Sequence, residues 1–340
     1  MRPFGPRRQS RGRARNGRGR AALDQIAELT AANRLEPDPI RERQLVRLRH
    51  RAFSELPAVE PAAIPEPDFE AINRIDGMPA VELERLSAGA LRAGILDGGC
   101  LLVRGVINRG RAGQLTEGIE RSFAARDRAE AEGSGADPGW FEPVTIGGGK
   151  YNLARQRQWV TSAGGVWTAD SPRMTFELID AFATMGLMEV IAEYLGERPA
   201  ASINKWTMRR VAPGGDADWH QDGAFLGEDI RAMNIWLTLS DCGRDAPGMD
   251  LVTRRLDGVV ETGADGARFD WSVSPQTVTD LLDGDEPVRP AFQAGDVLLF
   301  DELFLHQTAN SPDMTRDRYA VETWCFGPNS YPDKQVPLVL

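Results

Sequence analysis

The sequence is poor in cysteine and histidine, and each scarcity excludes something. Its only cysteines are Cys100, Cys242 and Cys325. They are far apart, odd in number, and form neither a CxxC pair nor a zinc-type spacing, which argues against a disulfide scaffold or a cysteine-based zinc module. A reduced, cytoplasmic protein is the expectation. No stretch approaches the roughly 18 consecutive apolar residues of a membrane helix, so no membrane partner is expected. Acidic residues are missing from 1–20, where eight arginines stand without an apolar run. That excludes a secretory signal, and residues 1–22 read as a disordered basic tail with too little apolar surface to offset the entropy of ordering. A phosphate loop is also missing. Gly147-Gly148-Gly149-Lys150 has Val144 where the first glycine belongs and Tyr151 where the hydroxyl residue belongs, so the stretch reads as a flexible lid. The net charge of −10 leaves no general basic face for phosphates, and a nucleic-acid partner is not expected. No internal repeat occurs, and no pattern bears on the oligomeric state.

What the chain has is length and apolar content. Its 340 residues are 41% hydrophobic, enough for one all-β domain with helical additions. Residues 39–56 carry apolar side chains near helical spacing, and the four prolines of 57–68 read as a linker. The catalytic body is expected over 80–340, after a helical extension and Pro-rich linker over 23–79. Within it, 82–96, 110–132 and 174–196 read as helices, the last ended by Gly196, and 100–107 as a strand. Residues 133–171 show no clear period and read as loops. Beyond 200 the pattern changes to short strands separated by Gly/Pro turns: 202–211, 234–240, 295–300 and 318–326, with an irregular stretch over 243–292. The fold class is therefore mainly β with flanking helices, built on a sandwich or jelly roll.

Of the three histidines, His50 lies in a basic helical stretch and reads as a solvated surface residue. His220-Gln221-Asp222 puts an imidazole and a carboxylate at i and i+2, which on a strand face the same side. His306 follows the strand GDVLLF. Two histidines and one carboxylate on one face of an octahedral ion leave open positions, as in non-haem Fe(II) oxygenases. Arg318 opens the strand RYAVETWCF twelve residues later. A guanidinium deep in the same barrel would clamp a keto-acid carboxylate through two parallel hydrogen bonds. Thr308 faces the same side as His306 and can add a hydroxyl. Arg316 is the competitor of Arg318 but lies in a Pro/Asp loop. Arg254, Arg255 and Arg268 could meet an anionic substrate, though solvation at the surface is their expected role.

The segments LRAGILDGGCLLVRGVI (91–107), VAPGGDADWHQDGAF (211–225), NIWLTLSD (234–241) and GDVLLFDELFLHQTANSPDMTRDRYAVE (295–322) together resemble the phytanoyl-CoA dioxygenase family of Fe(II)/2-oxoglutarate oxygenases. The resemblance spans roughly 80–328. It implies a double-stranded β-helix (cupin-like) core, with His220, Asp222 and His306 as iron ligands. It implies Arg318 and Thr308 at the C5 carboxylate of 2-oxoglutarate, and Trp236 and Met208 lining that cosubstrate. The implied reaction consumes O₂ and 2-oxoglutarate, forms succinate and CO₂, and hydroxylates an unactivated C–H bond of a small-molecule substrate. Related halogenases lack the carboxylate that Asp222 supplies. The chain departs from the family where GMDLVTRRLDG (248–258) replaces a PGSH-like turn, so substrate identity does not carry over. Two other readings remain: a non-catalytic or zinc-binding cupin-like binding protein, and a metal-dependent isomerase or lyase, whose sites usually recruit more histidines.

Overall fold

The computed structural model describes residues 7–57, 59–133, 137–146, 152–215, 218–227 and 230–340. In chain order the elements begin with helices α1 (Arg7–Leu35) and α2 (Pro39–Phe53). The second is started by Asp38, whose carboxylate accepts from the Ile40 amide, with Pro39 at the first helical position. Strands β1 (Asn73–Ile75) and β2 (Met78–Glu82) follow, then α3 (Ala88–Gly98), β3 (Cys100–Arg104), α4 (Arg109–Glu132), α5 (Leu153–Ser162) and β4 (Gly165–Trp167). Next come α6 (Pro172–Thr184), α7 (Leu187–Leu195), β5 (Ala200–Val211), α8 (Gly223–Leu226), β6 (Ala232–Thr238) and β7 (Gly248–Leu251). The chain closes with α9 (Pro275–Leu282), β8 (Val297–Phe300), β9 (His306–Ala309), β10 (Arg318–Phe326) and β11 (Pro337–Val339).

The large sheet runs β1-β2-β3-β8-β6-β10-β5-β11, with β4 also on β5. Among the described strands, only β2 and β3 pair in parallel. Because side chains alternate along a strand, the sheet has two distinct faces. Leu101, Val103, Ile235, Leu237, Leu299 and Val321 point to one face and pack under α3, α4, α6 and α7. Leu102, Trp236, Leu298, Phe300, Ala320 and Trp324 point to the other. That second face meets a smaller sheet of β7 and β9, which is continued by an antiparallel bridge between His220 and His306. Two sheets face to face around an apolar interior, with helices on the outside, make the double-stranded β-helix expected.

Several sequence expectations shift. The stretch expected as a tail is helical from Arg7, and Ala22 and Ile26 are buried against α2; residues 1–6 lie outside the described residues, as do 147–151 and the lid expected there. The Pro-rich segment is not a free linker: the Ala62 amide donates to Gly196 O at 2.9 Å, and Arg231 donates back to Ala62 O. Strands β1 and β2 join the main sheet through β3, so no break in the sheet falls near residue 80. The single helix expected over 174–196 is two, because Gly186 takes φ 68° between α6 and α7. Residues 133–171 contain α5 and β4, and 243–292 contain β7 and α9. His50 is half-buried, with Nδ1 2.8 Å from Pro337 O. Cys100, Cys242 and Cys325 are buried and free. No helix of the described residues is long and apolar enough to cross a membrane.

Candidate metal centre and cosubstrate pocket

The His220/His306 bridge places the two imidazoles. The His220 amide donates to His306 O at 3.0 Å and the His306 amide returns to His220 O at 3.1 Å. Directly paired antiparallel residues project to the same side, and the ring centroids stand 4.4 Å apart. Asp222 arrives differently from expected. It lies in a turn, at φ −65° and ψ −22°, capping the short helix α8 rather than continuing a strand. The turn is held by the side chain between the two acceptors. Gln221 is fully buried, donates to Leu303 O (2.6 Å) and Gly258 O (3.1 Å), and accepts from the Val260 amide (2.7 Å). The His/Asp pair therefore converges through a buried amide anchor.

The ligand atoms of His220, Asp222 and His306 all lie within 4.8 Å of one another, so one metal ion can be shared by the three. Each histidine has its Nδ1 against a backbone carbonyl, Asp218 O for His220 and Phe304 O for His306, both at 2.9 Å. A carbonyl only accepts, so each Nδ1 carries the proton and each Nε2 keeps a free lone pair. Burial, and then the neighbouring His220, pull the His306 imidazole down to about 3, so it stays neutral and able to bind a cation. Burial pushes the Asp222 carboxyl up, opposed by Lys205 and His220. A divalent cation placed among these atoms would offset that cost.

A cavity of about 900 Å³ opens above the triad and is lined by Arg318, Thr308, Trp236, Asn234, Met249 and Phe300 among others. Arg318 is buried at the head of β10. One of its terminal nitrogens donates to Gly248 O at 2.7 Å, and its guanidinium lies 5.6 Å from the Trp236 ring centroid. Its Nε finds no partner, and neither does the buried Oδ1 of Asn234. Unpaired buried polar atoms are costly, and here both sit in residues that line the cavity. The donor set suits Fe(II), and the part-satisfied guanidinium, with Nε unpaired, suits the carboxylate of a keto-acid. Thr308 lies two residues beyond His306 on β9, opposite Met249. Arg316, by contrast, is exposed and paired with Asp245 at 3.1 Å.

Met208 does not line the cavity. It is fully buried in the other apolar layer, opposite Val321 and Val166. The alternation along β5 instead turns Lys205 and Arg209 toward the site. Sequence reasoning passed over these two, along with Gln221, Asn234, Glu322, Phe225 and Trp271; the charged positions of NKWTMRRV, spaced by four, were the available signal. Arg209 pairs with Glu322 at 3.0 Å. Burial alone would raise the Glu322 carboxyl, but Arg209 and Lys205 outweigh it and hold the group below its usual range. Arg254, Arg255 and Arg268 engage Leu281 O, Asp301 and Asp218, outside the cavity. A second cavity, about 1030 Å³ between α1, α2, α6 and α7, holds none of the triad.

No curated protein sequence matches the chain. Among solved structures, EctD from S. alaskensis, crystallised with 2-oxoglutarate and 5-hydroxyectoine, superposes with a TM-score of 0.50 at 14% identity, covering 80% of this chain and 86% of that one. AviO1 from Streptomyces viridochromogenes Tue57 gives 0.43 at 16% identity, covering 70% of this chain and 94% of that one. The EctD likeness concerns the fold. The family match is made in sequence: the phytanoyl-CoA dioxygenase (PhyH) model covers residues 97–316. With more than half its length inside that match, the chain belongs to the phytanoyl-CoA dioxygenase family and is a non-haem iron enzyme that uses Fe(II), 2-oxoglutarate and O₂.

Proposed function

We propose that the chain hydroxylates a C–H bond of a small molecule, with His220, Asp222 and His306 holding Fe(II) and Arg318 anchoring 2-oxoglutarate. The observation that carries this reading is the pairing of three converging metal-binding side chains with a buried, part-satisfied guanidinium in one cavity. When bound, iron and 2-oxoglutarate activate O₂, and the cosubstrate leaves as succinate and CO₂. The rest is the work of the chain's own residues. The two histidines offer neutral Nε2 atoms held in orientation by the Asp218 and Phe304 carbonyls. Asp222 contributes the one negative charge and occupies the position that halogenating relatives leave open. Arg318, fixed through Gly248 O and backed by Trp236, keeps Nε for a carboxylate, and Thr308 is placed to add a hydroxyl. Phe300, Trp236 and Met249 give the cavity apolar surface for the body of a substrate.

The test is direct. Purified protein with Fe(II), ascorbate and 2-oxoglutarate is expected to bind about one iron per chain and to form succinate slowly without substrate. Asp222→Ala and His306→Ala are each expected to lose bound iron by metal analysis and to stop forming succinate. Iron and succinate retained in both variants would overturn the triad; stoichiometric zinc with no response to 2-oxoglutarate would favour a binding protein.

A further inference from the structure

Besides Arg318, the cavity is lined by three cations that the proposed chemistry does not use, Lys205, Arg209 and Arg210. Lys205 lies on β5 where its pairing with β10 slips: Trp206 stands opposite Thr323, but Ala201 stands opposite Cys325, so β5 carries extra residues over that interval. Irregularities of this kind re-aim side chains beside active sites. The Lys205 ammonium stands 3.9 Å from the Phe225 ring centroid and 3.9 Å from Asp222 Oδ1, beyond hydrogen-bond reach. The choice of residue is also unusual for this chain. Of its 40 basic residues only Lys150, Lys205 and Lys334 are lysine.

Charge matching shows what is left over, and it rests on the functional reading above. With the metal and cosubstrate bound, Asp222 and one carboxylate of 2-oxoglutarate would balance the two positive charges of Fe(II), and Arg318 would balance the other carboxylate. Arg209 is met by Glu322 and Arg210 by Glu120, each at 3.0 Å. Glu322 also acts on Lys205 but is bound by Arg209, so once Asp222 serves the metal Lys205 is the one cation of the described cavity lining left without a salt bridge. A half-buried ammonium with unspent donors at the cavity wall favours an anionic ligand. The surroundings say what else that ligand carries. Phe225 is 38% exposed and packs edge-on against Trp271, with centroids 6.2 Å apart. Trp271 in turn lies 5.7 Å from the His220 ring. An apolar body laid on Phe225 and Trp271 would sit beside the metal ligands with its charge at Lys205.

We infer that Lys205 is a specificity-determining residue, and that the substrate is a small carboxylate-bearing molecule with an apolar body resting on Phe225 and Trp271. The experiment uses the full chain loaded with Mn(II) and 2-oxoglutarate in the absence of O₂. Three acid/amide pairs serve as probes: phenylacetate with phenylacetamide, 3-phenylpropanoate with 3-phenylpropanamide, and cyclohexanecarboxylate with its amide. Binding is read by calorimetry and by thermal shift. At least one acid is expected to bind about tenfold or more tighter than its amide. In Lys205→Met that preference should fall to within about threefold, while 2-oxoglutarate binds as before at saturating Mn(II), and Lys205→Arg should restore part of it. No acid preference in the wild type, or one kept by Lys205→Met, overturns the inference. Loss of 2-oxoglutarate binding in Lys205→Met overturns it too, by assigning the lysine to the cosubstrate. Failure of the wild type to bind Mn(II) and 2-oxoglutarate removes the functional reading on which the inference stands.

Discussion

Glu302 is buried one turn before the site, at 6% exposure, and its backbone carbonyl accepts from the Gly223 amide at 2.8 Å. Burial, and then the neighbouring Asp301, push its carboxyl up to about 8. The sign of the linkage follows. Between about 4.5 and about 8 the unfolded chain has released this proton and the folded chain still holds it. Stability therefore falls as pH rises through that window and levels off above it. Glu302→Gln cannot ionise. It is expected to be more stable than wild type at pH 8.5, on the order of 2–3 kcal/mol, and little changed at pH 4.5. Chemical denaturation of both proteins at the two pH values checks this; an equal difference at both would refute it. The same scale shows what the sequence could reveal. HxD, a later His and an Arg at the head of a strand were readable because metal and carboxylate chemistry restrict residue type. Met208 departs from the role the family resemblance implies because the parity of β5, fixed by the packing of Trp206 and Val321, turns it into the outer apolar layer. The strand expected at His220-Asp222 holds at His220, which bridges His306, and fails at Asp222 for a related reason: the turn there depends on three hydrogen bonds between the Gln221 side chain and chain far away in sequence, and no local pattern reports them.

At the scale of elements, strands β3, β5, β6, β8 and β10 were legible, while the remaining strands and the connection geometry were not. Strand β10 occupies the 318–326 span expected, since RYAVETWCF is β-branched and aromatic and alternates between two apolar layers. The break at Gly186 and the elements inside 133–171 and 243–292 were hidden because tertiary contacts decide them. The Gly295-Asp296 pair before β8 illustrates the kind of constraint involved. Asp296 accepts from the Gly105 amide (2.9 Å) and the Gln293 amide (2.8 Å) and pairs with Arg104. Gly295 takes φ 99°, and a Cβ there would stand 2.0 Å from Ile107 O. Backbone has to move to admit any side chain. Gly295→Ala is therefore expected to cost roughly 3 kcal/mol or more, read as a lower denaturation midpoint with an unchanged slope. A loss under about 0.5 kcal/mol would mean that this turn yields easily.

At the scale of the whole molecule the sheet separates two tasks. Its inner face, toward β7 and β9, carries the metal centre and the cavity. Its outer face carries the helices, against which α2 is locked by a buried ionic contact. Glu42 is fully buried and is reached by Arg173 Nε of α6 at 2.8 Å and by Asn33 Nδ2 of α1 at 3.0 Å. Burial raises its carboxyl, with Asn33 and Arg173 opposing. Removing the cation leaves a buried carboxylate with one amide donor, and breaking a buried pair in this way costs about 3–5 kcal/mol. Arg173 is a fifth exposed, at 21% of its side chain, so water relieves part of that cost and about 2–3 kcal/mol is expected for Arg173→Met. The apolar outer layer and the sheet itself stand between this contact and the triad. Arg173→Met should accordingly lower the melting temperature while Mn(II) and 2-oxoglutarate affinities of the folded protein stay within about twofold of wild type. Coupled losses of stability and metal affinity would show instead that the helical layer helps to shape the centre, and the division of labour between the two faces would have to be given up.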